Sequence, residues 1–397
     1  MKGLLSLNAG SSSIKFSLFT LEDELCLSAH GQIEKIGLAP ALRVADAQGQ
    51  PLHHQSWNDP ALTHEALLGG LLDWVMGHLD GRELIGIGHR VVHGGARFSE
   101  PCLVGGAVME ALAALNDLAP LHQPHNLAAI EATLALRPDL PQVACFDTAF
   151  HHAMPVLATW LGLPRALHDA GVRRYGFHGL SYEFIARQLA ALDPDLAGGR
   201  VIAAHLGNGA SLCAMKAGQS VDTSMGFSAL DGLMMGTRCG TLDAGAVLHL
   251  MLQRGMSAQG VQDMLYRRSG LLGVSGLSSD MRELAASAAP EAEEAIALFA
   301  WRAAREAGGL MSVLGGLDGI VFTAGIGEHD AAMRARICAH LRWAGVEIDP
   351  QANAIHAPVI SAPASAIRVR VIPTDEERMI ALHTLSAIKE QADAPTG

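Results

Sequence analysis

Apolar and polar positions alternate along this chain in a pattern that predicts mixed strands and helices, and two of the strand pairs look alike. Residues 4–7 are apolar, enter the small polar run Asn8-Ala9-Gly10-Ser11-Ser12-Ser13-Ile14-Lys15, and leave through the apolar stretch 16–19. About half a chain later, residues 201–204 enter His205-Leu206-Gly207-Asn208-Gly209-Ala210-Ser211 and leave through 212–215. Each reads as strand, tight turn, strand. Between them, helical periodicity covers 62–79, a buried strand covers 83–88, and helices cover 107–116 and 125–136, the second ended by Pro138. A short apolar strand at 142–146 delivers Asp147 at its end, and Ser181 reads as the N-cap of a helix to about 192 with Glu183 in its first turn.

The second half repeats this grammar. A third strand at 219–223 follows the hairpin, then helices at 244–253, 258–266 and 279–286. Pro290 opens a long helix with Glu291, Glu293 and Glu294 in its first turn, and the helix ends near Gly315-Gly316. A buried strand at 319–324 runs into a glycine turn, Gly325-Ile326-Gly327-Glu328-His329, and a helix follows to about 343. A last strand at 367–372 ends at Pro373-Thr374-Asp375-Glu376-Glu377, before a terminal helix.

Two such hairpins facing one another would clamp a polyphosphate from two sides, because small residues let backbone N–H groups approach an anion. The expectation is an α/β phosphotransferase with two lobes and a cleft between them. The length of 397 residues agrees with two domains. The boundary is expected just after Asp147, with the C-terminal helix returning to the first lobe: 1–148 plus 378–397, and 149–377.

Composition narrows the class. A hydrophobic fraction of 49% with 43 glycines and only 5% aromatics suits a small-residue α/β enzyme better than a sandwich or coiled coil. The net charge of −12 argues against nucleic acid or an anionic membrane as partner, so an anionic substrate must be drawn in by local cations. The six cysteines lie far apart with no C-x-x-C pair, which reads as reduced, mostly buried thiols. There is no signal-peptide apolar region, and no run approaches the roughly 18 apolar residues of a membrane span. A soluble cytoplasmic protein is expected.

Several stretches carry chemistry. Asn8 to Lys15 is a candidate phosphate turn, although not a Walker A loop, and an ordinary hairpin fits that stretch taken alone about as well. The second hairpin and Gly325-Ile326-Gly327, read as a turn suited to close contact with a nucleotide, weigh against the bland alternative. Arg90, in His89-Arg90-Val91-Val92-His93-Gly94-Gly95, has the planar fork that suits a carboxylate or phosphate; a surface arginine between two satisfied histidines is equally open. Arg238 lies in Met234-Met235-Gly236-Thr237-Arg238-Cys239-Gly240, an apolar setting in which an idle charge is costly, so it points to charge stabilisation at a transferring phosphoryl group. His178, in Tyr175-Gly176-Phe177-His178-Gly179, would donate to a phosphoryl oxygen, with a core histidine as the alternative. Asp147 and Glu376, at the ends of apolar strands, are candidate Mg²⁺ ligands. Asp280 is either a helix cap or a ligand residue. Cys239 and His151-His152 have no metal-site spacing.

Taken together, these motifs resemble the acetate kinase (acetokinase) family, within the acetate-and-sugar-kinase, Hsp70 and actin fold group. The resemblance covers essentially the whole chain. Asn8 to Lys15 and Gly88 to Gly95 match the family's two signature stretches. Phe146-Asp147-Thr148-Ala149-Phe150-His151, Arg174 to Gly179, His205 to Gly209, Met235-Gly236-Thr237-Arg238, Ser278 to Arg282 and Thr374 to Glu377 follow in family order.

The resemblance implies a duplicated ribonuclease-H-like (actin-like) fold with a nucleotide cleft between an acetate/phosphate lobe and a nucleotide-binding lobe. It implies reversible transfer of the ATP γ-phosphate to acetate, giving acetyl phosphate and ADP. Asn8 and Glu376 would serve Mg²⁺, or Mn²⁺ in its place, and Lys15 the nucleotide phosphates. Arg90 would hold the acetate carboxylate, Asp147 is the family's acid/base position, and His178 and Arg238 would stabilise the transition state. ATP would be bound by His205, Leu206, Gly207, Asn208 and Gly209, by Asp280, Met281 and Arg282, and by Gly325, Ile326, Gly327, Glu328 and His329. Val92, Leu121 and Phe177 would wall the acyl pocket. A homodimer is also a family expectation.

The chain departs from the family pattern in three places. Ala229 stands where a pocket proline is common, which would leave a roomier acyl site and favours weighing propionate against acetate. His329 replaces a usual asparagine, and Thr241 a usual acidic residue. Because carboxyl groups titrate at about 4, acetate is already ionised near neutral pH, and Asp147 is better suited to orienting Arg90 or a metal-bound water than to taking a proton. Two rivals stay open: a kinase for propionate or another short acyl chain, and a nucleotide-driven binding module on the same fold.

Overall fold

The computed structural model describes residues 2–393; Met1 and residues 394–397, the extreme ends of the expected first lobe, lie outside them. The chain divides into two units, one running to Ala149 and resuming at Asp375, the other spanning Phe150–Thr374. Each is built on one sheet.

The first unit holds β1 (Lys2–Ala9), β2 (Ile14–Leu21), β3 (Leu25–Glu34), β4 (Ala41–Asp46), β5 (Pro51–Ser56), β6 (Glu83–Val91), β7 (Cys102–Leu103) and β8 (Gln142–Phe146). They lie in the order β5-β4-β3-β2-β1-β6-β8-β7. β1 is antiparallel to β2 and parallel to β6, and β6 is parallel to β8. β1 is covered on both faces, which is why Leu4, Leu5 and Leu7 read as a continuous apolar run instead of an alternating one. One face packs Leu5, Leu7 and Phe16 on Leu67, Leu71 and Val75 of the helix His64–Leu79. The other packs Leu4 and Phe19 on Ala381 of the C-terminal helix Glu376–Asp393. That helix sits so close that a Cβ on Gly88 would lie 2.2 Å from Thr384 Oγ1 and 2.5 Å from Ile380 Cγ2. The glycine of the His89-Arg90 strand is therefore a packing requirement.

The second unit holds β9 (Arg200–Leu206), β10 (Ala210–Lys216), β11 (Gln219–Thr223), β12 (Gly319–Thr323) and β13 (Arg368–Val371), in the order β11-β10-β9-β12-β13. β9 is antiparallel to β10 and parallel to β12, and β12 is parallel to β13. This is the sense and connectivity of β3-β2-β1-β6-β8, so the two units are topological copies. The helix Pro290–Leu314 buries an alanine-rich stripe, including Ala295, Ala300, Ala303 and Ala307, and ends at Gly315, left-handed at φ 70°.

Several sequence expectations are corrected. Strands β3–β5, a sheet extension of half-polar segments, carry too weak an alternation to announce themselves. The helix expected from Ser181 starts at Gly179, with His178 at the N-cap in a left-handed conformation; Ser181 lies inside the helix, and Glu183 pairs with Arg187 at 2.8 Å beyond the first turn. The glycine turn after β12 is helical, Ala324–His329, because Glu328 folds back to accept from Ala324 N at 2.7 Å. The helix expected to run to 343 stops at His340. No helix among the described residues is long and apolar enough to cross a membrane.

Candidate active-site residues

In the first unit the parallel strands bring chemistry to their C-terminal ends, where open α/β sheets place ligands. Asn8 is near the end of β1, Arg90 near the end of β6, and Asp147 directly after β8. Arg90 Nε donates to Asp147 Oδ1 at 2.8 Å, Nη2 to Oδ2 at 2.6 Å, and Nη1 to Asn8 Oδ1 at 3.2 Å. Burial works against the guanidinium charge, but the Asp147 carboxylate outweighs it and holds Arg90 above its ordinary range. Glu376 opens the C-terminal helix. Its carboxyl is pushed up to about 7 by burial and by Asp147 and Glu377, against the pull of Arg90 and Lys15.

The remaining residues named for this unit are placed around that pair. Lys15 is exposed and faces Asn8 across the β1–β2 hairpin. Val92 is buried, and its N–H donates to Asn126 Oδ1 at 3.0 Å while Asn126 Nδ2 donates to Ala9 O at 2.6 Å. Asn126 thereby ties the stretch after β6 to the end of β1. Leu121 is half-buried, ahead of the helix Gln123–Leu136.

In the second unit, His205 lies near the end of β9 and the turn 207–209 closes with Gly207 N donating to Gly209 O at 3.1 Å. Gly236 N donates to Asn208 O at 3.0 Å, which ties this turn to the loop that carries Arg238. A Cβ on Gly209 would lie 2.9 Å from Arg238 Nη2 and 3.4 Å from His178 Nε2, so both groups converge on this glycine. Arg238 Nη1 donates to Ala229 O at 2.6 Å. The His178 and His205 rings stack with centroids 4.1 Å apart. His178 Nδ1 lies 2.8 Å from Ser211 Oγ, and His205 Nδ1 lies 2.8 Å from Ser181 Oγ. Phe177 is buried, and its carbonyl accepts from His151 Nε2 at 2.9 Å. Burial pushes His151 down to about 4, so it is neutral and its Nδ1 accepts from Ser220.

The other residues named for nucleotide binding are dispersed in role. Leu206 is buried at the end of β9. Asp280 caps the helix Met281–Ala285, accepting from Arg282 N at 2.8 Å, and its carboxylate also pairs with the exposed Arg282 side chain. Those bonds hold Asp280 down at about 2. Met281 is buried. Gly325 is exposed, Ile326 half-buried and Gly327 buried. The Glu328 carboxylate accepts from Ala324 N and, at 3.1 Å, from Thr374 N. His329 is exposed. Ser181, Ser211, Tyr182 and Asn126 escaped the sequence reading as site groups, because nothing marks a hydroxyl or amide as a histidine or backbone partner until the chain is folded.

Among the described residues no group of three or more His, Cys, Asp or Glu is placed to hold a metal by itself. Among the described residues, Asn8, Asp147 and Glu376 bring oxygen donors near Arg90. A hard ion such as Mg²⁺, which takes one or two carboxylates and completes its shell with water and phosphate, fits that set.

Arg90 at a strand end of the first unit, and Arg238 with His178 at the glycine turn of the second, give each unit fixed donors for an anion, which is what a phosphotransferase requires. The description "Acetokinase family" matches residues 3–382, and the chain belongs to that family. It is 52% identical over 390 residues to an acetate kinase of Rhodopseudomonas palustris, covering 96% of this chain and 97% of that one. It is also similar in structure to a propionate kinase from Francisella tularensis, with a TM-score of 0.90, 37% identity and coverage of 97% and 100%. A Porphyromonas gingivalis acetate kinase aligns with a TM-score of 0.86, 34% identity and coverage of 98% and 100%. The fold is thus the two-unit α/β fold of these kinases.

Proposed function

We propose that the chain transfers the γ-phosphate of ATP to acetate, reversibly, giving acetyl phosphate and ADP. The observation that carries the acceptor side is the Arg90 fork. Two of its N–H groups are committed to Asp147 and one to Asn8 among the described residues, which leaves two to grip a carboxylate in a fixed plane. Asp147 orients Arg90 and takes no proton in this reading, since acetate needs none removed near neutral pH. On the phosphoryl side, Arg238 and His178 donate to the transferring group and neutralise charge as it develops. Lys15, the turn 207–209, Asp280 to Arg282 and the segment 325–329 serve the nucleotide, and Val92, Leu121 and Phe177 wall the acyl group.

Asn8 and Glu376 would hold Mg²⁺, which when bound supplies further charge neutralisation at the phosphates. The same reading has the chain acting as a homodimer in the cytoplasm. Light scattering tests the first part: a mass near twice that of the chain is expected, and a monomer would refute it.

A second reading, propionate as acceptor, is favoured by the solved propionate kinase named above and by Ala229 at a position where proline is common in the family. Acyl hydroxamate formation with ATP and Mg²⁺ on acetate, propionate and butyrate decides between them. Acetate-led turnover is expected, with ratios of roughly 10- to 200-fold for each methylene the pocket discriminates. Propionate-led turnover would rename the acceptor, and no acyl phosphate from folded, ATP-binding protein would overturn the kinase reading.

A further inference from the structure

We infer that Ser211 and Tyr182 are positioning residues that fix the tautomer of His178, so that its proton stands on Nε2. The inference rests on the reading of His178 as a donor to the phosphoryl group. His178 occupies the left-handed region at φ 58° and ψ 25°, a conformation that a residue with a side chain holds only where its surroundings impose it. Its ring lies against that of His205, and its two nitrogens face different neighbours. Nδ1 is 2.8 Å from Ser211 Oγ, and Ser211 Oγ is 2.5 Å from the Tyr182 hydroxyl. Nε2 faces the side of Gly209 on which Arg238 Nη2 also lies.

The direction of the chain follows by counting protons. A guanidinium only donates, so a group gripped by Arg238 and His178 together must accept from both. The neutral ring has one N–H, and only Nε2 faces the side of Gly209 where Arg238 lies. If that hydrogen is on Nε2, Nδ1 must accept, and Ser211 must give it its only proton. Ser211 Oγ must then accept in turn, and the Tyr182 hydroxyl is the donor at hand. Ser211 and Tyr182 are both fully buried, so bulk water does not compete for these bonds. The relay Tyr182 to Ser211 to His178 runs one way and sets the end that faces Arg238. Tyr182 stands one helical turn after His178, so the helix that His178 caps also carries the first donor of the relay.

The test joins a spectrum to kinetics. Long-range proton–nitrogen NMR of protein labelled with ¹⁵N-histidine, with His178→Ala to assign the ring, is expected to show the Nε2–H tautomer in the wild type. Ser211→Ala and Tyr182→Phe should move it toward Nδ1–H. In turnover, Ser211→Ala is expected to lower kcat about 10- to 100-fold, the order of a misdirected transition-state donor, with KM for ATP and acetate little changed. Tyr182→Phe should do so less, Ser211→Thr should recover most of the loss, and Ser211→Ala should cost nothing more when His178 is already alanine. An Nδ1–H ring or an imidazolium in the wild type, or additive losses in the double variant, would overturn the inference. Normal turnover of His178→Ala would instead refute the role given to His178, while the spectrum still decides the tautomer.

Discussion

The two sheets share one plan, β-β-β antiparallel followed by two parallel strands, yet their glycine hairpins are used differently. In the first unit the turn after Ala9 is also tied, with Ile36 N donating to Ser12 O at 3.1 Å, but its glycine has room: Ser11 and Ser12 are exposed, and a Cβ on Gly10 would meet only Ser13 O, at 3.5 Å. In the second, the turn is tied down by Gly236 N, and a Cβ on Gly209 would press on Arg238. The cations differ as well. Arg90 is locked by a buried carboxylate, whereas Arg238 is braced by the Ala229 carbonyl. Duplication supplied two scaffolds with strand ends in equivalent places, and local side chains made one set hold its arginine by a carboxylate and the other by backbone.

Substitutions can break this contrast. The largest effect is expected from Arg238→Ala, a loss of about 10³-fold or more in kcat, as for arginines that neutralise a transferring phosphoryl group, with little change in Tm. Hydroxamate turnover and thermal unfolding measured together check both halves, and a Tm drop as large as that of an Asp147 variant would erase the contrast. Asp147→Asn keeps the shape of the pair but removes its charge; kcat/KM for acetate should fall about 100-fold, the worth of one to two charged hydrogen bonds. Near-normal turnover in that variant would remove Asp147 from both the orienting and the acid/base role.

The hairpins give a matched pair. Gly209→Ala must displace the Arg238 side chain and should lower kcat about 10-fold, while Gly10→Ala has ordinary room and should stay within about twofold. Equal effects at the two glycines would show that their different packing is irrelevant to turnover.

The smallest contrast is in acid stability. Burial pushes His89 and His93 in the first unit, and His151 in the second, down to about 4. An unfolded histidine titrates near 6.5, so above that pH these rings are neutral in both states and their contribution is full. As pH falls from about 6.5 to 4 the unfolded chain takes up protons that the folded one refuses, and stability drops by at most about 3 kcal/mol per ring. Hydrogen exchange followed by mass spectrometry should show protection lost earlier in peptides of the first unit, which carries two such rings. Simultaneous loss in both units would mean that they unfold as one.

Much of the fold was legible from pattern alone. Strands β1, β2, β6, β8, β9, β10 and β12 and the long helix from Pro290 announce themselves through apolar runs and terminal signals, because a strand covered on both faces must be apolar throughout and a helix must be started and stopped. Motif chemistry likewise singled out Arg90, Asp147, His178 and Arg238 as residues to examine. Tertiary structure decided what each of them touches. No local signal pairs Arg90 with a carboxylate 57 positions away, or brings Arg238 and His178 to one glycine. Nor does one turn Ser181 from a helix cap into the hydroxyl between His205 and Thr374. Propensity and periodicity act over a few residues, whereas hydrogen-bond partners are set by which strand ends the sheet brings side by side, and that is a property of the whole chain.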